Sequence, residues 1–280
     1  MDFARFGCEG ARSRIIRANG LGLHLLESGQ PGRPGLCFLH GGSAHAHWFD
    51  LVTPALSDRL HVVSVDQRGH GESEWPTDPA YATEDFAADL VGVLDGLGWD
   101  RAVLVGHSMG GHNAMCFAAW HPERVRGLVI VDSRPSIPPE RLERLRERGH
   151  RLRRGHPTLE SAVRAFRLLP RETVADRHLL AHLARAGLVQ RNGAWSYRFD
   201  PRCNSSRRPA DACRLLDRIE APALIVRAEL SPILPVELAA RMRDAIRGAS
   251  LVEIPGAYHH VVLDAPQAFT GVLEEFLARL

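Results

Sequence analysis

Six short apolar runs punctuate the chain: Leu36–Leu39, His61–Val65, Ala102–Val105, Leu128–Val131, Ala223–Val226 and Ser250–Ile254. Each ends at a polar or turn-forming residue. Their apolar character is continuous rather than alternating, which predicts strands covered on both faces, as in a parallel sheet. Amphipathic stretches lie between them. Thr83 is the expected N-cap of a helix carrying Phe86, Leu90, Val93, Leu94 and Leu97 on one face. Pro235 is expected to open another, with Leu238, Met242 and Ile246. Strands alternating with helices imply an α/β fold, a mostly parallel doubly wound sheet whose chemistry gathers at the carboxyl ends of its strands.

The alternation stops between residues 134 and 212. That stretch opens with Pro135, Pro138 and Pro139 and then reads as helices around Leu142 and Leu145, around Leu159, Val163 and Phe166, and around Leu179, Leu180 and Leu183. Asn192-Gly193 signals a turn, followed by Trp195, Tyr197 and Phe199 at period two. The expected organisation is a core of residues 1–133 and 213–280 with a mainly helical cap at 134–212. Arg outnumbers Asp plus Glu in the cap by about two to one, which reads either as a solvated basic face or as a preference for an anionic substrate.

With 280 residues, 45% of them hydrophobic, the chain has the means to bury a large core. The net charge of +2 gives no reason to expect nucleic acid or a membrane as partner. All 35 basic residues are Arg. The five cysteines, Cys8, Cys37, Cys116, Cys203 and Cys213, are scattered and form no CxxC pair, so neither a disulfide framework nor a zinc site is indicated. The first eight residues lack the apolar stretch of a signal peptide, and no run reaches transmembrane length, so a cytoplasmic location is expected.

Candidate chemistry sits at the strand ends. Gly106-His107-Ser108-Met109-Gly110 is a G-x-S-x-G sequence between a predicted strand and a predicted helix. Such a turn holds a serine hydroxyl in the open beside a helix N-terminus. His40-Gly41-Gly42-Ser43 follows an earlier strand. Acyl transfer needs two donors aimed at the developing oxyanion, and the Gly42 and Met109 N–H groups are the candidates. His259, in Gly256-Ala257-Tyr258-His259-His260 after the last strand, is the preferred general base over its neighbour His260.

These motifs, together with Asp66-Gln67-Arg68-Gly69-His70-Gly71-Glu72-Ser73, resemble the α/β-hydrolase superfamily in kind and order over essentially the whole chain. The resemblance implies a serine nucleophile at Ser108 and a catalytic histidine at His259. It also implies an acid in the loop after the strand Ala223–Val226, but the expected position there is Ser231, which cannot be anionic. Two carboxylates remain open. Asp132 ends the strand Leu128–Val131, where some members that resemble this chain, including zearalenone lactonases, carry their acid. Glu229 lies in the usual loop, two residues early. Epoxide hydrolases and haloalkane dehalogenases of the fold use aspartate as nucleophile, and Ser108 argues against both.

His45-Ala46-His47 with Asp50 matches only half of a metallo-hydrolase signature, and no metal is expected. His40, Gly41, His107, Trp48 and Trp195 are expected to line the substrate pocket. The sequence thus predicts a cofactor-free serine hydrolase of a small-molecule ester or lactone. The alternatives are a carbon–carbon bond hydrolase of the same fold and a small-molecule receptor that keeps the triad without turnover. Substrate identity and oligomeric state are not specified.

Overall fold

The computed structural model describes residues 10–150 and 155–280. The reading of the first eight residues, Cys8 included, and Arg151, Arg153 and Arg154 of the 134–212 segment lie outside them.

In chain order the elements are β1 (Arg12–Ala18), β2 (Leu21–Gly29), β3 (Gly35–Leu39), β4 (His61–Val65), α1 (Thr83–Leu97), β5 (Ala102–His107), α2 (Met109–Trp120) and β6 (Val125–Val131). The segment from 134 to 212 follows with α3 (Pro139–His150), α4 (Leu159–Ala165), α5 (Arg177–Ala186), β7 (Leu188–Arg191), β8 (Ala194–Tyr197) and α6 (Arg202–Ser205). The chain then returns with β9 (Ala223–Ala228), α7 (Val236–Ala245), β10 (Ser250–Ile254), α8 (Val261–Asp264) and α9 (Pro266–Leu277).

Eight strands form one sheet in the order β1-β2-β4-β3-β5-β6-β9-β10. From β4 to β10 every pairing is parallel; β1 and β2 join antiparallel at the edge. Successive side chains of the central strands enter different cores, which explains their unbroken apolarity. Cys37 and Leu39 pack with α1 and α2, whereas Leu36 and Phe38 pack with α9 and the segment around Phe49.

Two expectations change. Thr83 is the first residue of α1 rather than its cap. Ala82 takes the cap position, its N–H donating to Asp85 Oδ2 at 2.8 Å, and the Thr83 hydroxyl accepts from Ala210 N–H at 3.0 Å. The β1–β2 hairpin was not expected, because Arg12-Ser13-Arg14-Ile15-Ile16-Arg17 is a solvent-facing edge with no continuous apolar run. Its signal is Asn19-Gly20, both at positive φ (47° and 78°), as a two-residue hairpin turn demands.

The 134–212 segment is mostly helical, with β7 and β8 joined through Asn192-Gly193. Buried polar contacts tie it to the sheet. Tyr81 Oη donates to Asp200 Oδ2 at 2.6 Å, and Asp50 Oδ2 accepts from His182 Nε2 at 2.7 Å. Among the described residues no helix is long and apolar enough to cross a membrane.

Candidate active site

Ser108 occupies the single residue between β5 and α2, at φ 53° and ψ −114°, a region that side chains rarely adopt. Its flanking glycines are required by close approach. A Cβ on Gly106 would sit 2.4 Å from Gly110 O, and one on Gly110 would sit 2.1 Å from Leu39 O. The turn therefore closes only with both, and it lifts the serine hydroxyl to the sheet's carboxyl edge.

His259 follows β10 and brings its two ring nitrogens to two sequence candidates at once. Nε2 lies 3.0 Å from Ser108 Oγ and Nδ1 lies 2.7 Å from Asp132 Oδ2. Asp132, at φ 41°, immediately follows β6 and is fully buried. Its Oδ1 accepts from Ala228 N–H at 3.2 Å, and Oδ2 also accepts from the Ser231 hydroxyl at 2.5 Å. With Asp132 accepting at Nδ1, the imidazole carries its proton there and presents a lone pair to Ser108. Burial holds His259 well below the usual histidine range, reinforced by His260 and Arg141. Burial pushes the Asp132 carboxyl up to about 6, against the bonds from Ser231 and Ala228.

The other acid candidate points elsewhere. Glu229 Oε2 accepts from Gly256 N–H at 2.7 Å and does not reach the imidazole. His260 also turns away, with Nε2 on Pro170 O at 3.0 Å. Ser231, at the position where an acid was sought, hydrogen-bonds Asp132 at the end of the neighbouring strand. A hydroxyl in that loop opposite a strand-end carboxylate was the available sequence signal.

Gly42 and Met109 face each other across the mouth of the nucleophile turn, a Cβ on Gly42 lying 3.9 Å from Met109 Sδ. Met109 is the first residue of α2, so its N–H has no carbonyl within the helix to bond. His40 stands behind this loop. It donates from Nδ1 to Gly41 O at 2.7 Å and accepts at Nε2 from Gln67 N–H at 3.0 Å.

A cavity of about 310 Å³ opens over Ser108, His259, Gly42 and Met109. Its remaining walls come largely from the 134–212 segment, including Arg134, Arg141, Arg144, Arg148 and Arg207. None of His40, Gly41, His107, Trp48 and Trp195, expected there, lines it. His40 and Gly41 form the back of the Gly42 loop, with Gly41 packed against His107 and Ser108. His107 is buried beneath and bonds His259 O through Nε2 at 2.8 Å, holding the backbone of that histidine. Trp48 is buried edge-on to His45, ring centroids 5.2 Å apart. Trp195 is half-buried in β8, bridged to His156.

His47, Asp50 and His182 bring their ligand-type atoms within 4.8 Å of one another. His47 Nδ1 and His182 Nε2 both bond Asp50 Oδ2, at 2.9 and 2.7 Å, and link the loop after β3 to α5. His45 is not part of this group; its Nε2 bonds Leu183 O at 3.0 Å.

The model of the alpha/beta hydrolase fold family matches residues 34–266. The chain belongs to this family. Over 274 residues it is 30% identical to the 2-(acetamidomethylene)succinate hydrolase of Mesorhizobium japonicum, covering 95% of each chain. The crystal structure of an E-2-(acetamidomethylene)succinate hydrolase is similar with a TM-score of 0.86 and 26% identity, covering 96% of this chain and 99% of that one. A pimeloyl-[acyl-carrier protein] methyl ester esterase of Neisseria meningitidis is 29% identical over 262 residues, covering 85% of this chain and 91% of the relative. The relatives of this α/β hydrolase thus differ in the substrates they are named for.

Proposed function

We propose that this α/β hydrolase cleaves a carboxylic ester or lactone through an acyl-enzyme on Ser108, with 134–212 as a cap over the site. The observation that carries this reading is His259 bridging Ser108 and Asp132 at the floor of the cavity. Ser108 Oγ attacks the carbonyl carbon as His259 Nε2 takes its proton. The Gly42 and Met109 N–H groups hold the oxyanion, and Asp132 stabilises the imidazolium. The imidazolium protonates the leaving alkoxide as the tetrahedral intermediate collapses. Water, deprotonated by His259, then attacks the acyl-enzyme and releases the acid with Ser108 restored. Each of these proton transfers uses a group of the chain.

A second reading, hydrolysis of a bond other than an ester, is favoured by the relative at 30% identity, whose name specifies a 2-(acetamidomethylene)succinate. Both readings need the same nucleophile. Ser108→Ala should abolish labelling by a fluorophosphonate and lower turnover by on the order of 10⁶, with the melting curve retained. Labelling that persists in Ser108→Ala would refute the assignment. A burst of nitrophenol from a short-chain nitrophenyl ester separates an enzyme from a receptor that does not turn over.

A further inference from the structure

We propose that the substrate is a compact acyl compound bearing a carboxylate remote from the scissile carbonyl, gripped by Arg207, Arg141 and Arg134. The cleavage itself rests on the hydrolase reading; the binding of the carboxylate does not.

Five arginines line the cavity, and among the described residues no Asp or Glu does. On α3, Arg141, Arg144 and Arg148 stand at i, i+3 and i+7, with Leu145 among them, so one helical stripe, a position usually apolar when it faces the interior, is cationic. The acids of α3 do not neutralise it: Glu143 pairs with Arg146 instead. Arg207 is only 6% exposed, and its Nε is buried without a hydrogen-bond partner. Arg134 bonds Ile233 O through one terminal nitrogen, while its Nε is also buried and unpartnered. Among the described residues none of the five forms an ion pair.

Burying an unpaired cation is expensive, and proteins normally supply it with a counter-charge. Among the described residues no carboxylate pairs with Arg207, Arg141 or Arg134, and these cations converge on the space a substrate must enter. Burial lowers the Arg141 pKa, helped by repulsion from Arg134, Arg144 and Arg148 and opposed by Asp132, so an anion placed among them offsets both the burial and the repulsion. Guanidinium forks match a carboxylate in paired, parallel hydrogen bonds. The cavity of about 310 Å³ suits a small molecule rather than a long acyl chain or a nucleotide-bearing thioester.

The test compares mono-4-nitrophenyl glutarate with 4-nitrophenyl butyrate, after subtraction of spontaneous hydrolysis. The expected ratio of kcat/KM favours the charged ester by about tenfold or more. Arg207→Gln and Arg141→Gln should each lower that ratio by about tenfold, chiefly through the KM of the charged ester. A general structural defect would slow both esters alike and leave the ratio in place. Arg241→Gln, exposed on α7, should leave the ratio unchanged. Should Arg207→Gln fail to fold, Arg141→Gln, half-buried, decides alone.

Calorimetry on the whole protein supplies the arm that needs no turnover. Glutarate should bind wild type, and bind more weakly to the arginine variants. A wild-type ratio near one, a ratio unmoved by the variants, or binding of inorganic phosphate in preference to glutarate would overturn the proposal while the hydrolase reading stood. No turnover and no labelling of Ser108, with arginine-dependent glutarate binding, would overturn the hydrolase reading and support this one.

Discussion

Asp132 accepts three hydrogen bonds with no exposure to water, from the Ala228 N–H, the Ser231 hydroxyl and the His259 ring. Such a side chain has one orientation, and it fixes the imidazole in turn. Asp132→Asn should therefore reduce turnover by about four orders of magnitude, as expected when a triad imidazole loses its carboxylate. Glu229→Gln should change it by less than about twofold, since its carboxylate lies on the Gly256 N–H at the surface. Steady-state rates of the two variants decide, and the reverse ranking would sink the role proposed for Asp132. Burial depresses the His259 pKa, so the acidic limb of kcat/KM should fall below pH 6.5, the unperturbed histidine value. A limb at or above 6.5 would contradict a buried, neutral base. The serine, the histidine and the choice between two acids were legible as letters in sequence. The choice itself was not, because it depends on which strand end faces the imidazole across the sheet.

Elements place those residues through backbone proximity. The α2 N-terminus can approach β3 only because Gly110 has no side chain against Leu39 O. Gly110→Ala should cost about 1–3 kcal/mol of stability, seen as a lowered denaturant midpoint with the slope unchanged. Stability equal to wild type would mean that the helix can shift without loss. Five of the six parallel strands were readable because burial on both faces writes itself as continuous apolarity; β10, a partly buried edge strand, was readable from Leu251, Val252 and Ile254. The β1–β2 edge was not, since Ile15 is 65% exposed and Arg12, Arg14 and Arg17 interrupt the strand. Two of the pocket residues misplaced in sequence, His40 and His107, share one cause: each is a chain neighbour of a site residue, but adjacency along a strand or tight turn points a side chain to the opposite face. The cavity walls instead come from α3 and from Arg207, remote in sequence.

Over the whole molecule the burial of Asp132 should make folding stability depend on pH. The folded pKa of Asp132 is raised to about 6 from an unperturbed 3.8, so the folded state holds that proton more tightly. Its stabilising contribution is complete below pH 3.8 and is lost as pH rises through about 6. A shift of that size corresponds to about 3 kcal/mol. The difference in melting temperature between Asp132→Asn and wild type should therefore increase from pH 4 to pH 8 in the variant's favour. A difference that stays flat, or runs the other way, would show that the carboxylate is not strained by its burial.

In the proposed reading the cavity draws its nucleophile, base and oxyanion donors from one set of chain segments and its arginines from another. On that reading, cutting and choosing are written in separable stretches of the gene. Drift in α3 and around Arg207 can alter what is admitted while Ser108, Asp132 and His259 stay in place, with Arg141 the one position that also acts on the His259 pKa. Recombination within 134–212 alone offers a lineage, or a laboratory, a route to new diets for the same blade.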